Sequence, residues 1–331
     1  MEKIPVKLVS LGVNFTDADK RTLLASGCDL RQYDSSRDLE AALQAAGEAD
    51  AVCISKVWLR FPGPDFISRL GRCRLVVTGG AACPLDPEEA ARRGISIAHC
   101  PGYSAPAIAE YAFALLLTLA RKLGRRMERP SGSGLAAAEA LVRLWKGAEL
   151  HGKTLGIAGY GAIGRYLALI ARGFDMKVLV VSRERPWWPA RVLRYRHVHF
   201  VEFADMLRRS DVVVSVLPDM GAREFFGAEA FAGMRRGCLF VNVGNPQVID
   251  ETELKMALEQ GQLAGAGLDG VSPMGAQMLR PLANVLLSPR MGWNTAEAGA
   301  RFSGECARSV IRFFSGRPVR LLTDASRMAQ Q

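Results

Sequence analysis

The stretch Lys153-Thr-Leu-Gly-Ile-Ala-Gly159-Tyr160-Gly161-Ala162-Ile163-Gly164-Arg-Tyr-Leu-Ala168 runs from an apolar strand through a glycine turn into a helix. Each glycine has a physical task. Gly159 permits a tight turn, Gly161 lets backbone N–H groups approach a pyrophosphate, and Gly164 lets the helix pack against the strand. The helix N-terminus adds partial positive charge at the same point. A glycine turn alone also serves as a plain connection. Here it follows a strand, opens a helix and precedes a second strand, Lys177–Val181, as a dinucleotide cradle requires. Gly159, Tyr160, Gly161, Ala162, Ile163 and Gly164 are therefore candidate cofactor-binding residues.

The end of the second strand bears on which dinucleotide binds. A site for NAD places Asp or Glu there for the ribose hydroxyls, whereas this chain reads Val180-Val181-Ser182-Arg183-Glu184-Arg185. A small hydroxyl with guanidinium groups suits a 2′-phosphate. Ser182, Arg183 and Arg185 thus favour NADP, with Glu184 keeping NAD open. Solvated loop charges are the plain alternative for both arginines.

Outward from this turn, short β-branched runs alternate with amphipathic stretches. Strands are predicted at Val6–Leu11, Ala51–Ser55, Leu75–Thr78, Thr154–Ala158, Lys177–Val181, Val212–Leu217, Leu239–Val243 and Val285–Leu287. Helices are predicted at Leu39–Ala46, Ala105–Lys122, Gly164–Arg172, Glu251–Glu259 and Ala296–Phe314. That repetition means βαβ units, an α/β fold of parallel sheets with helices on both faces. The 331 residues exceed what one core organises, so two domains are expected. With 49% hydrophobic and 23% charged residues the chain can bury a core, which excludes disordered and fibrous classes. Pro130-Ser-Gly-Ser-Gly134 reads as a loop or arm.

Lys and Arg number 43 against 33 Asp and Glu, and a net charge of +10 brings an anionic partner into consideration: nucleic acid, a membrane surface or a phosphate-bearing ligand. The segments 121–129 and 183–196 each carry a net +4. The surplus therefore sits at a helix end and where an adenosine phosphate would lie. No helix-turn-helix, finger or RNP-type motif speaks for nucleic acid. Seven scattered cysteines without a CxxC pair argue against a disulfide framework and a cysteine metal site, so no metal is expected and a reducing cytoplasm fits. The start MEKIPVKLVS has no secretory pattern, and the longest apolar run, Tyr111 to Ala120, is about half the ~20 residues of a membrane span. A soluble protein without a membrane partner is expected.

Further motifs occur in order along nearly the whole chain: Cys100-Pro-Gly-Tyr-Ser-Ala-Pro-Ala-Ile-Ala-Glu110, Glu149-Leu-His-Gly-Lys-Thr-Leu-Gly, the glycine turn, Leu217-Pro218, Val248-Ile-Asp-Glu251, Leu263-Ala-Gly-Ala-Gly-Leu-Asp269 and Leu286-Leu-Ser-Pro289. Together they resemble the D-isomer-specific 2-hydroxyacid dehydrogenases. The resemblance implies two Rossmann-like domains, with a cofactor domain (101–292) inserted into a discontinuous, flavodoxin-like substrate domain (1–100 plus 293–331). It implies a homodimer joined through the helix from about Ala105 to Lys122. It also implies that Leu217 and Pro218 lie over the adenosine side, with Val243 beside the cofactor and Asp269 on the nicotinamide carboxamide.

The family's catalytic positions are replaced. Its substrate-holding Arg stands in an Asn-Thr-Ala-Arg-Gly-Gly segment, where this chain reads Asn242-Val-Gly-Asn245-Pro-Gln. The Glu five residues after the nicotinamide-site Asp is Met274, and the proton-donating His after the last strand's Pro is Arg290. The carboxylate loop matches Thr78-Gly-Gly-Ala-Ala-Cys83, with Cys83 where an Asp is usual. Asn245 donates a hydrogen bond without charge, and Met274 cannot tune an acid. Arg290 can polarise a carbonyl or clamp a carboxylate, but with a pKa above ~12 it is a poor proton donor.

Three groups are candidates for the missing acid, and the sequence does not rank them. Tyr103 sits in a Pro-Gly-Tyr-Ser turn, and a cation such as Arg290 or Lys56 beside it would lower its pKa. Packing against the turn is its alternative. Lys56, after a strand of the first domain, can donate charge or a proton, or is a solvated lysine. His99 ends a strand at the first crossover between the domains, or is a satisfied structural histidine. Trp293 and Asn294 follow Arg290, where an aromatic wall or plain core is possible. The expected activity is NAD(P)H-dependent hydride transfer on an unusual carbonyl, hydroxy or imine small molecule. The alternative is a non-catalytic NAD(P)-binding sensor or partner subunit.

Overall fold

The computed structural model describes residues 6–60, 65–79, 85–123, 134–183, 196–218, 224–317 and 319–323. Cys83, Glu184, Arg185, residues 130–133 of the Pro130 loop and most of the basic segments 121–129 and 183–196 lie outside the described residues. The chain divides into two compact units, Met1–Ser104 with Asn294–Gln331, and Ala105–Trp293.

The first unit carries β1 (Val6–Leu11), β2 (Cys28–Tyr33), β3 (Ala51–Ile54), β4 (Leu75–Thr78) and β5 (Ser96–His99). The second carries β6 (Thr154–Ala158), β7 (Lys177–Val181), β8 (Val198–Phe200), β9 (Val212–Ser215), β10 (Cys238–Asn242), β11 (Leu263–Asp269) and β12 (Val285–Ser288), and the chain then returns to the first with β13 (Leu321–Thr323). The first sheet has the order β13-β5-β4-β3-β1-β2, parallel except for β13. The second has the order β12-β11-β10-β9-β6-β7-β8 and is parallel throughout. In the second sheet the order reverses between β6 and β9. The crevice beyond their carboxyl ends is the switch point at which open α/β sheets take ligands.

Burial explains which strands are legible. β3, β4, β9 and β10 are buried along their length, so they read as unbroken apolar runs. The edge strands β2 and β8 alternate buried with exposed residues, and β2 is largely polar, so neither is predicted. β11 is hidden by its glycines. A Cβ on Gly267 would stand 3.0 Å from the Leu115 Cβ, so glycine is what lets the Ala105–Ala120 helix lie against this strand. Leu116 and Phe113 of that helix join Leu167 and Ala171 of the Ala162–Gly173 helix in one core over Leu155, Ile157 and Val241.

The Ala105–Ala120 helix stops two residues before its predicted end. Lys122 adopts φ 56°, Leu123 N–H donates to Thr118 O at 2.9 Å and Lys122 N–H to Leu119 O at 3.2 Å, a left-handed closure of the last turn. The Glu251–Glu259 and Ala296–Phe314 helices start where predicted, because Asp250 and Thr295 accept the first free N–H groups. β9 ends at Ser215 rather than Leu217, as Val216 turns onto the Gly159 loop. Among the described residues no helix is long and apolar enough to cross a membrane, and no side-chain group has the makings of a metal site. Cys28, Cys53, Cys73, Cys100, Cys238 and Cys306 are unbridged and buried.

Candidate functional site

Gly159 leaves β6 at φ 102°, and its N–H donates to Val181 O at 2.9 Å. A Cβ there would stand 3.2 Å from both Val216 Cγ2 and Val216 O. A Cβ on Gly164 would collide with the Gly159 carbonyl oxygen, so the helix rides directly on the turn. Gly161 precedes the helix with no side-chain cap, and a Cβ on it would meet nothing within 4 Å. An uncapped helix start with open space beside it is what an anionic phosphate requires, so a dinucleotide pyrophosphate fits this turn. Tyr160 is buried, with its ring edge-on to Phe200 at 5.3 Å, while Ala162 and Ile163 are half-buried. At the end of β7, Ser182 is half-buried and Arg183 exposed.

The loops after β9 and β10 touch. A Cβ on Gly244 would stand 2.8 Å from the Leu217 nitrogen, and Asn245 N–H donates to Leu217 O at 2.9 Å. Leu217 is half-buried, Pro218 exposed, and buried Val243 donates its N–H to Ser215 O at 3.1 Å. The Asn245 side chain is turned into its own loop, where Oδ1 accepts the Gln247 N–H at 3.2 Å and caps the Pro246–Val248 turn. Its acceptor is thus committed to structure. Met274 is 70% exposed. The nearest carboxylate to its helix start is Glu251, which accepts Ser272 N–H at 2.7 Å.

Asp269, at the end of β11, is 6% exposed. Its Oδ1 accepts from Ser288 Oγ and from Met291 N–H, both at 2.7 Å, and its Oδ2 accepts Gly292 N–H at 2.8 Å. Three donors on one carboxylate tie the turn after β12 to the end of β11. Arg290 stands on that turn at φ 59°, its carbonyl accepting the Trp293 Nε1–H at 2.8 Å. Trp293 is therefore a brace for Arg290 rather than plain core. The Arg290 stem lies over Gly270, where a Cβ would meet Arg290 Cδ at 3.0 Å, and the residue is exposed. A non-glycine residue in the left-handed region costs about 1 kcal/mol and persists where its surroundings enforce it.

Tyr103, Lys56 and His99 belong to the first unit. Tyr103 is buried, its ring 4.9 Å from that of Phe302, with its carbonyl accepting Arg301 Nε–H at 2.7 Å. Burial pushes its phenol up to about 12, the reverse of the lowering that a nearby cation would give. His99 pairs with Thr78 in register across β5 and β4. Its Nδ1 and the Thr78 Oγ1 are buried and find no partner among the described residues. Burial, and secondarily the positive Arg320, hold the imidazole below its ordinary pKa and favour the neutral ring. Lys56 is exposed just beyond β3. Of the predicted residues, the glycine turn, Ser182, Leu217 and Val243 gather at the switch point of the second sheet, whereas Asp269, at the end of β11, holds the turn after β12 on which Arg290 stands. Ser288 and Gly244 were missed, since a serine at a strand end and a glycine in a loop carry no spacing signal.

The NAD-binding domain of the D-isomer-specific 2-hydroxyacid dehydrogenases matches residues 113–292. The chain is 34% identical over 238 residues to the glyoxylate reductase of Thermococcus kodakarensis, covering 70% of each chain. It is 29% identical over 322 residues to the hydroxypyruvate reductase of Blautia hydrogenotrophica, covering 94% of this chain and 96% of that one. Among solved structures, the acyclic imino acid reductase Bsp5 in complex with NADPH and D-arginine superposes with a TM-score of 0.76 at 21% identity, covering 96% of this chain and 99% of that chain. A glyoxylate reductase from Paecilomyes thermophila gives a TM-score of 0.76 at 24% identity over 97% of this chain and 99% of that chain.

Proposed function

The chain belongs to the D-isomer-specific 2-hydroxyacid dehydrogenase family, and we propose that it is an NADP-preferring oxidoreductase acting on a small carbonyl, hydroxy or imine compound through a non-standard site. When bound, the nicotinamide would supply or accept the hydride. The residues of this chain hold and orient. The uncapped helix start at Gly161 would take the pyrophosphate, Ser182, Arg183 and Arg185 the 2′-phosphate, and Leu217, Pro218 and Val243 would line the dinucleotide. Asp269 Oδ2 accepts the Gly292 N–H and retains capacity for a carboxamide N–H.

The observation that carries the catalytic reading is Arg290, an exposed arginine whose backbone stands at φ 59° on a turn tied down by a buried carboxylate. Backbone strain beside a buried carboxylate anchor supports this role. Arg290 would polarise the substrate oxygen or clamp a carboxylate bidentately. Tyr103, Lys56 and His99 are the proton-relay candidates. A phenol raised to about 12 stays protonated near neutral pH, and a neutral His99 can accept a proton. Asn245, with its side chain caught in a cap, keeps a secondary part.

A second reading, a non-catalytic nucleotide sensor, is favoured by exposed Met274 and the capped Asn245, which stand where the family keeps its Glu and Arg. Turnover separates the two. Glyoxylate, hydroxypyruvate and imino acids, the compounds named for its relatives and a structural neighbour, form the first panel. NADPH consumption that falls in Arg290→Ala supports the enzyme, and NADPH binding without turnover on any compound supports the sensor. We also infer a homodimer in a reducing cytoplasm, in keeping with exposed Leu135 and Val142 on the Leu135–Leu144 helix, to be checked by light scattering.

A further inference from the structure

The second unit contains a cavity of about 300 Å³ at the amino-terminal edge of its sheet, where β6, β9, β10 and β12 begin, opposite the glycine turn. That volume lies at the small end of the range for small-molecule pockets. Leu119, Leu239 and Leu286 give it apolar walls, while Lys122, Lys146, Lys153, Arg235 and Arg236 line it against Glu149 and Asp211.

Only part of the positive charge is absorbed locally. Asp211 is committed, with Oδ2 accepting Thr154 N–H at 2.9 Å and Oδ1 pairing with Arg235 at 2.8 Å. Lys146, Lys153 and Arg236 make no ion pair among the described residues, and Glu149 is the one carboxylate in the lining besides Asp211. The carboxyl end of the Ala105–Ala120 helix offers few bare acceptors. Its last carbonyls, of Leu117, Thr118, Leu119 and Ala120, accept from Arg121, Leu123, Lys122 and Ala148 at 2.9, 2.9, 3.2 and 2.8 Å. A Cβ on Gly147 would stand 2.8 Å from that same Ala120 oxygen, so this wall is backbone packed on backbone.

We propose that this cavity binds a phosphorylated small molecule. The phosphate sits on Lys146, Lys153 and Arg236, whose charges match a dianion, and an apolar body lies on the leucine walls.

The test is calorimetric titration of the native chain, saturated with NADPH so that the dinucleotide turn is filled, with phenyl phosphate as probe. Phenol and inorganic phosphate serve as the body-only and charge-only arms. Saturable binding of phenyl phosphate, weaker for inorganic phosphate and absent for phenol, is expected. Lys146 and Arg236 are exposed, so the Lys146→Ala/Arg236→Ala variant keeps its fold, and it should bind at least about tenfold more weakly. Absence of saturable binding, displacement of the probe by NADPH, equal affinity in the double variant, or loss of binding as the protein self-associates would overturn the proposal.

Discussion

The Asp269 carboxylate holds Gly292 by its backbone N–H at 2.8 Å, and through the same group it holds Met291 and Ser288 at 2.7 Å. A residue whose family role is to face the cofactor thus also builds the turn that presents Arg290. In Asp269→Asn the amide would set an N–H against a donor. We expect a loss of about 2 kcal/mol from the broken charge-assisted bonds, read from urea unfolding, together with weaker NADPH binding. Unchanged stability would show that the turn stands without the carboxylate.

Arg290 combines backbone strain with an exposed charge to which the proposed function gives the catalytic part, and substitution separates the two. Arg290→Gly removes the left-handed penalty, so it should raise stability by about 1 kcal/mol while turnover disappears. A variant both destabilised and active would mean that the guanidinium serves packing.

The proposed NADP preference is tested at Ser182. Ser182→Asp places a carboxylate where a 2′-phosphate would lie, and the ratio of NADPH to NADH affinity should fall by at least about tenfold. Equal ratios in both proteins would remove Ser182 from cofactor discrimination. Gly161→Asp should weaken both nucleotides, as it puts a side chain and a negative charge at the open helix start.

Buried acids set the alkaline limit. Burial pushes the Cys73 and Cys238 thiols from 9.0, and the Tyr103 phenol from 10.0, up to about 12. Each is raised in the fold, so its contribution is complete below the unfolded value and is lost as pH rises through the folded one. The urea midpoint should decline from about pH 9 upward, and Tyr103→Phe should soften the fall above about pH 10. A midpoint unchanged to about pH 11 would contradict this assignment.

How much was legible follows from what each residue signals locally. The Gly159–Gly164 turn, β6, β7 and the Glu251–Glu259 helix announce themselves through glycine spacing, apolar runs and an Asp cap. β2 and β8 lie at edges and carry too little apolar pattern. β11 hides behind Gly265 and Gly267, which exist for a helix that only the tertiary structure brings near. In the site, Asn245, Met274 and Arg290 are legible as residues that the family resemblance aligns with its Arg, Glu and His. That Asn245 caps its loop is not, nor that Tyr103 is buried and raised rather than lowered, because both depend on where a side chain turns. The basic surplus is likewise visible as charge, yet the cavity that gathers Lys146, Lys153 and Arg236 joins residues far apart in sequence.

The most direct test is NADPH oxidation by the native chain and by Arg290→Ala on one panel of 2-oxo and imino acids, with nucleotide affinity measured in parallel. Turnover of at least one compound by the native chain is predicted, slowed about a hundredfold or more in Arg290→Ala with NADPH affinity retained. Tight NADPH binding with no turnover of any compound, or a variant as fast as the native chain, would contradict an Arg290-dependent oxidoreductase.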